Sequence, residues 1–309
     1  MVSHYLDAPS IIEPNHMSVI AIAGGSGQLG RAIVEAIVND GKYKVVVLGR
    51  EVDEEKQKAI LEEHKVHTVI STINAMGQVE PELNLIKAAN TSSVTKRYIP
   101  SMWGVPHTAE IATCFPIAIR KMAVLQALDA TSLEYTAVYN GYFLEYFVAP
   151  KIKTYMNPMA IVLDIPNSFA AIPGSGDVLV TFTHTFDIAK YVTALQLLPK
   201  WDKKSIIVGD KVTWNEFVKI AEQAKSEKFT VVHDSLETLK SGHITELPSH
   251  PLLYLFFHKE LLQSLFAAFG LMFERGVFNL DVKGSLVEQF PDIRPRKVKE
   301  LVDEAYSNP

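Results

Sequence analysis

Short apolar runs alternate with helical patterns over the first two hundred residues of the chain. Val19–Ala23 is a continuous apolar run, which is typical of a strand buried on both faces. The residues after it place Leu29, Ile33 and Ile37 on one face of a helix, and Gly41 marks its end. Further strands are predicted at Lys44–Leu48 and at residues 68–73, 97–100, 135–139 and 205–208. This alternation predicts an α/β fold with a doubly wound parallel sheet and right-handed crossovers.

The regular alternation gives way to irregular segments rich in proline and glycine after about residue 150. We expect residues 18–150 to form the sheet domain, completed by a returning helix and strand at about 181–210. Residues 151–180 and 211–309 are expected to build a smaller, discontinuous lobe. Residues 1–17 carry no long apolar run and are expected to form a flexible leader.

The composition is that of an ordinary globular protein, with 48% hydrophobic and 21% charged residues. Its 30 basic and 35 acidic residues give a net charge of −5, so we expect neither nucleic acid nor a membrane surface as a partner. The single cysteine, Cys114, allows no internal disulfide, which fits a reducing compartment and predicts a cytoplasmic location.

One apolar stretch, residues 252–273, raises the question of a membrane span. His258, Lys259 and Glu260 interrupt it, so it lacks the roughly 18 consecutive apolar residues that a span needs. The stretch therefore predicts buried helices over a pocket.

A glycine-rich loop follows the first strand directly and opens the first helix. In residues 24–30, GGSGQLG, Gly24 permits a tight turn and Gly27 lets the backbone approach a pyrophosphate. Gly30 allows the helix to pack closely on the strand, and the helix N-terminus offers free N–H groups to phosphates. A purely structural turn is the alternative, but the strand–loop–helix context favours a dinucleotide site. The residues assigned to it are Gly24, Ser26, Gly27, Gln28, Leu29 and Gly30.

Arg50 stands about twenty residues after the glycine loop, at the end of the second predicted strand. A site for NAD usually carries Asp or Glu at this point, where the acid binds the ribose 2′-hydroxyl. An arginine can instead bind the 2′-phosphate of NADP with two hydrogen bonds. Glu51 and Asp53 follow closely, and a solvated surface arginine is the alternative, but Arg50 favours NADP(H) as the cofactor.

Several segments occur in an order that resembles the NmrA-like and isoflavone-reductase-like proteins, a branch of the atypical short-chain dehydrogenases. They are GGSGQLG, LGR, VHTVISTI, YIPSMWG, RKMAVLQAL and LEYTAVYNGYF. The resemblance covers nearly all of residues 17–309. It implies a Rossmann-type NAD(P)-binding domain with a smaller, discontinuous substrate-binding lobe.

The resemblance also implies roles for individual residues. Lys121 matches the family's catalytic lysine at a helix start, although it could equally be a surface residue beside Arg120. Thr72 and Ser101 are placed near the cofactor at strand ends, where such sheets bind ligands. The expected substrate pocket comprises Trp103, Asn140, Tyr142 and Phe143.

This sequence departs from related patterns in three places. Met102 replaces the glutamate of the family's Pro-Ser-Glu-Phe-Gly turn, so any role of that acid is lost. No tyrosine has a lysine four residues later, which removes the Tyr-x-x-x-Lys mechanism of mainstream short-chain dehydrogenases. Only sixteen residues, 51–66, separate the second predicted strand from the strand at residue 68. Family members usually fit a further strand and an adenine-contacting Asp into that stretch, and this chain is expected to lack both.

Two functions remain open on the sequence. The first is an NADPH-dependent oxidoreductase that transfers a hydride to a small, fairly apolar, oxygen-bearing substrate, with Lys121 as candidate general acid or base. The second is a non-catalytic dinucleotide sensor that regulates a partner protein. Lys121 favours the enzyme, while Met102 and the shortened adenine side favour the sensor. The ten histidines show no His-Glu-x-x-His or similar spacing, so no metal site is predicted.

Overall fold

The computed structural model describes residues 17–49, 53–74 and 77–307. Their strands are β1 (Val19–Ala23), β2 (Lys44–Leu48), β3 (Val66–Ser71), β4 (Arg97–Ile99), β5 (Glu134–Tyr135), β6 (Ala137–Tyr139), β7 (Tyr142–Phe143), β8 (Leu163–Asp164), β9 (Phe169–Pro173), β10 (Val180–Thr183), β11 (Lys204–Ile206), β12 (Asp210–Val212) and β13 (Thr230–Asp234).

The helices lie between and after these strands. They are α1 (Gln28–Asp40), α2 (Glu54–Glu63), α3 (Glu80–Thr91), α4 (Ala109–Ala112), α5 (Ile117–Asp129), α6 (Glu145–Val148), α7 (Thr185–Leu195), α8 (Trp214–Lys225), α9 (Leu236–Lys240), α10 (His250–Leu253), α11 (Lys259–Glu274), α12 (Leu286–Gln289) and α13 (Val298–Tyr306).

A five-stranded parallel sheet has the strand order β2-β1-β3-β4-β5. Ile20 and Ile22 of β1 are buried against α1 and α7, as the continuous apolar run predicts. Gly41 ends α1 in the left-handed conformation, at φ 71°. The predicted α/β class is therefore confirmed.

The predicted strand at residues 135–139 is divided in the structure. β5 pairs with β4, the strand is interrupted at Thr136, and β6 pairs with β11 instead. The hydroxyl of Thr136 lies 2.8 Å from that of Ser205, which bridges the break. The single-strand prediction was wrong because an apolar run does not show which neighbour each half of it pairs with.

The sheet is short on the side of β2. The helix α2 occupies most of the stretch where related proteins fit a further strand, and β3 pairs directly with β1. Among the described residues β2 is therefore the edge strand, and Val47 on it is 48% exposed. Asp53 caps α2 by accepting a hydrogen bond from the Lys56 N–H at 3.0 Å.

The second half of the chain contributes two smaller sheets, β12-β10-β7 and β13-β9-β8. Their core is aromatic: neighbouring rings meet edge to face with centroids 5.0–6.1 Å apart. The rings belong to Phe147, Phe182, Trp214, Phe217 and Phe273.

The apolar stretch 252–273 is only partly buried. Phe266 and Phe273 on α11 are in the core, as expected. Leu255 and Phe256 are 77% and 80% exposed, so the expectation of burial was wrong there, because α10 ends after one turn and the connection projects into solvent. Within the described ranges, no helix combines the length and apolar content that a bilayer crossing requires.

Candidate functional site

The glycine loop lies at the carboxyl end of β1 and is shaped by close backbone approaches. Gly24 has φ +75°, and a Cβ there would lie 2.8 Å from Oγ1 of Thr72. A Cβ on Gly30 would collide with the carbonyl of Gly24. Gly27 has an ordinary φ of −79° and is exposed. Gly24 and Gly30 are therefore required by the loop itself, whereas Gly27 leaves its outer surface open.

The first turn of α1 points toward that open surface. Gly27 is the N-cap, no side chain caps the helix, and no acidic residue stands in its first turn. The first N–H groups of a helix lack intrahelical partners and carry partial positive charge. Ser26 and Gln28 are exposed here, while the side chain of Leu29 is buried and only its backbone faces the loop. A pyrophosphate fits this cradle.

Two neighbouring strand ends lie beside the loop. The hydroxyl of Thr72 donates to the carbonyl of Ala23 at 2.9 Å and so ties the ends of β3 and β1 together. The hydroxyl of Ser101, after β4, donates to the carbonyl of Ile73 at 2.7 Å. The structure thus brings Thr72 and Ser101 to the same sheet edge as the glycines, while their contact with a cofactor stays a prediction.

Lys121 reaches this edge from the first turns of α5. Its side chain is half-buried, and its ammonium donates a hydrogen bond to the carbonyl of Ser101. Burial lowers the pKa of Lys121 to about 8, and the nearby carboxyl of Glu82 opposes that shift. Lys121 is therefore turned toward the strand ends, and its pKa suits proton transfer near neutral pH.

His107 lies in the loop before α4 and is close enough to Lys121 to feel its charge. Its ring stacks on Phe115 with centroids 6.0 Å apart, and among the described residues its Nδ1 has no hydrogen-bond partner. Burial, together with the charge of Lys121, lowers the pKa of His107 to about 4. It is therefore a neutral imidazole at physiological pH, with one buried ring nitrogen that makes no hydrogen bond to the described residues.

The predicted pocket residues are in different environments. Trp103 is half-buried and donates from Nε1 to the carbonyl of Ser71 at 3.0 Å; Phe143 is also half-buried. Asn140 is fully buried, and its side-chain oxygen accepts from the Gly104 N–H at 3.0 Å. Trp103 and Phe143 are thus better placed to meet a ligand than Asn140, whose amide fixes the turn.

Tyr142 is enclosed by aromatic rings. Phe269, Phe273 and Phe278 have centroids 5.5–6.0 Å from its own. Its hydroxyl is buried and, among the described residues, has no hydrogen-bond partner. The assignment of all four residues to a substrate pocket stays a prediction.

Sequence reasoning missed Glu82 and His107. Glu82 lies on the buried face of α3, together with Leu85, Ile86 and Ala89 at helical spacing. An acid within an apolar stripe is a detectable signal, because an unpaired carboxylate is rarely buried. His107 gave no such signal, since its position depends on the path of a loop.

The structure bears differently on two further predictions, the 2′-phosphate ligand and the metal site. Arg50, the expected 2′-phosphate ligand, is outside the described residues. Among the residues that are described, no three His, Cys, Asp or Glu side chains come together as metal ligands would.

Comparison with known proteins places the chain in a family. The NmrA-like family matches residues 63–289, and the chain belongs to it. It is 32% identical to oxidoreductase BOA1 of Botryotinia fuckeliana, over 89% of this chain and 95% of that protein. It is 27% identical to phenylcoumaran benzylic ether reductase TP7 of Nicotiana tabacum, over 67% and 74% of the two chains.

Solved structures show the same fold. The ternary complex of leucoanthocyanidin reductase from Vitis vinifera aligns with a TM-score of 0.74, covering 94% of this chain and all of that one, at 18% identity. The binary complex of the same protein with NADPH aligns with a TM-score of 0.72. The predicted family and the Rossmann-type fold are confirmed, and the names of the relatives confirm the oxidoreductase class.

Proposed function

We propose that the chain is an NADPH-dependent reductase of a small, fairly apolar molecule that carries a reducible, oxygen-bearing group. The observation that carries this proposal is the placement of Lys121. Its ammonium lies at the carboxyl ends of the parallel strands, beside Ser101 and on the same edge as the glycine loop. A solvated surface lysine is the alternative, and the half-buried side chain with its hydrogen bond to Ser101 argues against it.

The cofactor half of the proposal rests on the loop and on the relatives. The cradle around Gly27 accepts a pyrophosphate, and the uncapped N-terminus of α1 supplies the donors. The NADPH complex of leucoanthocyanidin reductase, a protein of the same fold, agrees with this cofactor. Bound there, NADPH would supply the hydride that reduces a substrate carbon.

The protein would supply the proton. With a pKa of about 8, Lys121 is mostly an ammonium at neutral pH and can protonate the substrate oxygen as the adjacent carbon is reduced. The carbonyl of Ser101 orients the ammonium, and solvent restores its proton afterwards. The neutral His107 and the half-buried rings of Trp103 and Phe143 would bind the substrate.

A screen for substrate-dependent NADPH oxidation tests the proposal. Quinones, enones, aldehydes and phenolic ethers represent the substrate class, with calorimetric NADPH binding measured in parallel. NADPH binding with turnover of at least one class is the expected result. A protein that binds no NADPH, or that binds it and responds only by changing its affinity for a partner protein, would contradict the reductase.

A further inference from the structure

We propose that Glu82 is a positioning residue for Lys121: its buried carboxylate fixes the turn at Ser101, whose carbonyl holds the ammonium, and keeps that ammonium charged, so that Lys121 acts as a proton donor. The inference rests on the proposed reductase function, because it assigns the direction of proton transfer in that reaction. It concerns a residue on α3 that no motif of the glycine loop or of the lysine helix includes.

Three groups that can donate hydrogen bonds surround the carboxyl of Glu82. The hydroxyl of Ser71 donates to Oε2 at 2.5 Å, and the hydroxyl of Tyr98 and the N–H of Ser101 donate to Oε1 at 3.1 and 3.3 Å. Ser71 in turn accepts from the N–H of Ile73 at 3.4 Å, so its own proton is directed at Glu82. Three donors converge on two oxygens, which is the pattern that an ionised carboxyl requires.

Burial makes the charge of Glu82 depend on Lys121. Glu82 is 2% exposed, and burial raises its pKa, while Ser71, Ser101, the charge of Lys121 and Tyr98 oppose that rise. A buried carboxylate is costly unless it is both hydrogen-bonded and faced by a cation. Lys121, which is hydrogen-bonded to the carbonyl of the same Ser101 whose N–H donates to Glu82, is the cation that acts on it, and Tyr98 and His107 are neutral at pH 7.

Ser101 connects the two charges. Its N–H donates to Glu82, and its carbonyl accepts from Lys121. The residue after it is Met102, which stands where the family turn carries a glutamate. The turn therefore retains an acid, but the acid comes from α3 rather than from the turn itself.

The pKa of Lys121 tests the inference without any need for turnover. It can be followed by NMR of side-chain-labelled lysine in wild type, in Glu82→Gln and in the matched control Glu80→Gln, which changes an exposed residue of the same helix. Removing a nearby opposite charge should lower the pKa of Lys121 by about one unit in Glu82→Gln. The control should leave it unchanged, and an equal pKa in all three proteins overturns the inference.

A second measurement uses no Glu82 variant, in case Glu82→Gln does not fold. The side-chain carboxyl carbon of Glu82, labelled and observed in wild type, should show a carboxylate shift at pH 7 and a further small step near pH 8, when Lys121 loses its proton. The step should vanish in Lys121→Met. A protonated Glu82 at pH 7, or a step that persists without Lys121, contradicts the inference.

Turnover then separates positioning from folding. In Glu82→Gln the alkaline limb of kcat/KM should move to lower pH by the same amount as the pKa of Lys121, with kcat reduced and the KM for NADPH unchanged. A uniform loss of activity with no shift of the limb would indicate a structural role only. If wild type oxidises no NADPH, the reductase fails, while both NMR results stand on their own.

Discussion

The ammonium of Lys121, on α5, donates a hydrogen bond to the main-chain carbonyl of Ser101, which follows β4. The contact joins a helix to the carboxyl edge of the sheet across twenty residues of sequence. It turns a lysine that could have been a surface residue into one that faces the predicted cofactor site.

Gly27→Val should abolish NADPH binding and preserve the fold. The new Cβ would lie 3.1 Å from the carbonyl oxygen of Gly24, a tight contact at an ordinary φ, and the methyl groups would project into the exposed surface where a pyrophosphate must approach. The pyrophosphate would then lose its charge-assisted hydrogen bonds to the loop, which should weaken NADPH binding by at least about tenfold to a hundredfold. Calorimetry with NADPH and thermal unfolding measure the two effects.

Gly30→Ala provides the contrasting control. Its Cβ would collide with the carbonyl of Gly24, so it should lower the free energy of unfolding by about 1–3 kcal/mol. Unchanged NADPH affinity in Gly27→Val would mean that the loop is only a structural turn.

Arg50→Ala should weaken NADPH binding about tenfold to a hundredfold and spare NADH, because only NADPH carries the 2′-phosphate. Lys44→Ala, which removes a positive charge from the opposite end of β2, is the matched control. Fluorescence titration with both cofactors measures the effect. Equal losses for NADH and NADPH would show that Arg50 does not contact the 2′-phosphate.

Activity should depend on pH through Lys121. Burial lowers its pKa to about 8, and only the protonated form can donate. We therefore expect kcat/KM to be level below about pH 8 and to fall about tenfold per pH unit above it. Unfolding curves at each pH exclude denaturation as the cause. An increase of kcat/KM through this range would instead make Lys121 a base.

Glu145 should make stability depend on pH. Burial raises its pKa from 4.5 to about 7, although the Thr185 N–H donates to it at 2.6 Å. Because the folded protein holds this proton more tightly, the contribution of Glu145 to stability is complete below pH 4.5 and is lost as pH rises through 7. Between about pH 5.5 and 8.5, the free energy of unfolding of Glu145→Gln should therefore rise by about 1–3 kcal/mol relative to that of wild type.

Chemical denaturation at the two pH values measures this gain, with the exposed Glu80→Gln as control. His184, whose Nε2 lies 3.6 Å from Glu145, contributes in the opposite direction. Burial lowers its pKa from 6.5 to about 4, so its contribution is present above pH 6.5 and lost as pH falls through 4. A pH-independent difference between Glu145→Gln and wild type would show that the Glu145 carboxyl does not retain its proton.

The sequence predicted the sheet edge well because its signals are local. The continuous apolar run predicts β1, the glycine loop predicts the close approach of Gly30 to Gly24, and the apolar helix face predicts α1. These signals suffice because strand, turn and helix follow one another directly in the sequence. The capping box of Thr213 and Glu216 at the start of α8 is likewise local, because its two residues stand three positions apart.

Other features depend on contacts between distant segments. The break at Thr136 arises because β6 pairs with β11, about seventy residues later. The side-chain oxygen of Asn140 accepts a hydrogen bond from Gly104, and the carboxyl of Glu82 accepts hydrogen bonds from β3, β4 and the turn that follows β4. Sequence spacing alone does not reveal these partners, although Glu82 stands out as an acid in the apolar face of α3.

Steady-state NADPH oxidation by wild type, Lys121→Ala and Lys121→Arg tests the central claim most directly, with a substrate found in the screen. We predict that turnover falls about a hundredfold to ten-thousandfold in Lys121→Ala. Lys121→Arg should not restore it, because arginine keeps the charge but does not release a proton near neutral pH. NADPH affinity should stay near wild type in both variants, since the glycine loop holds the pyrophosphate. Wild-type turnover in Lys121→Ala would contradict the assignment of Lys121 as the proton donor.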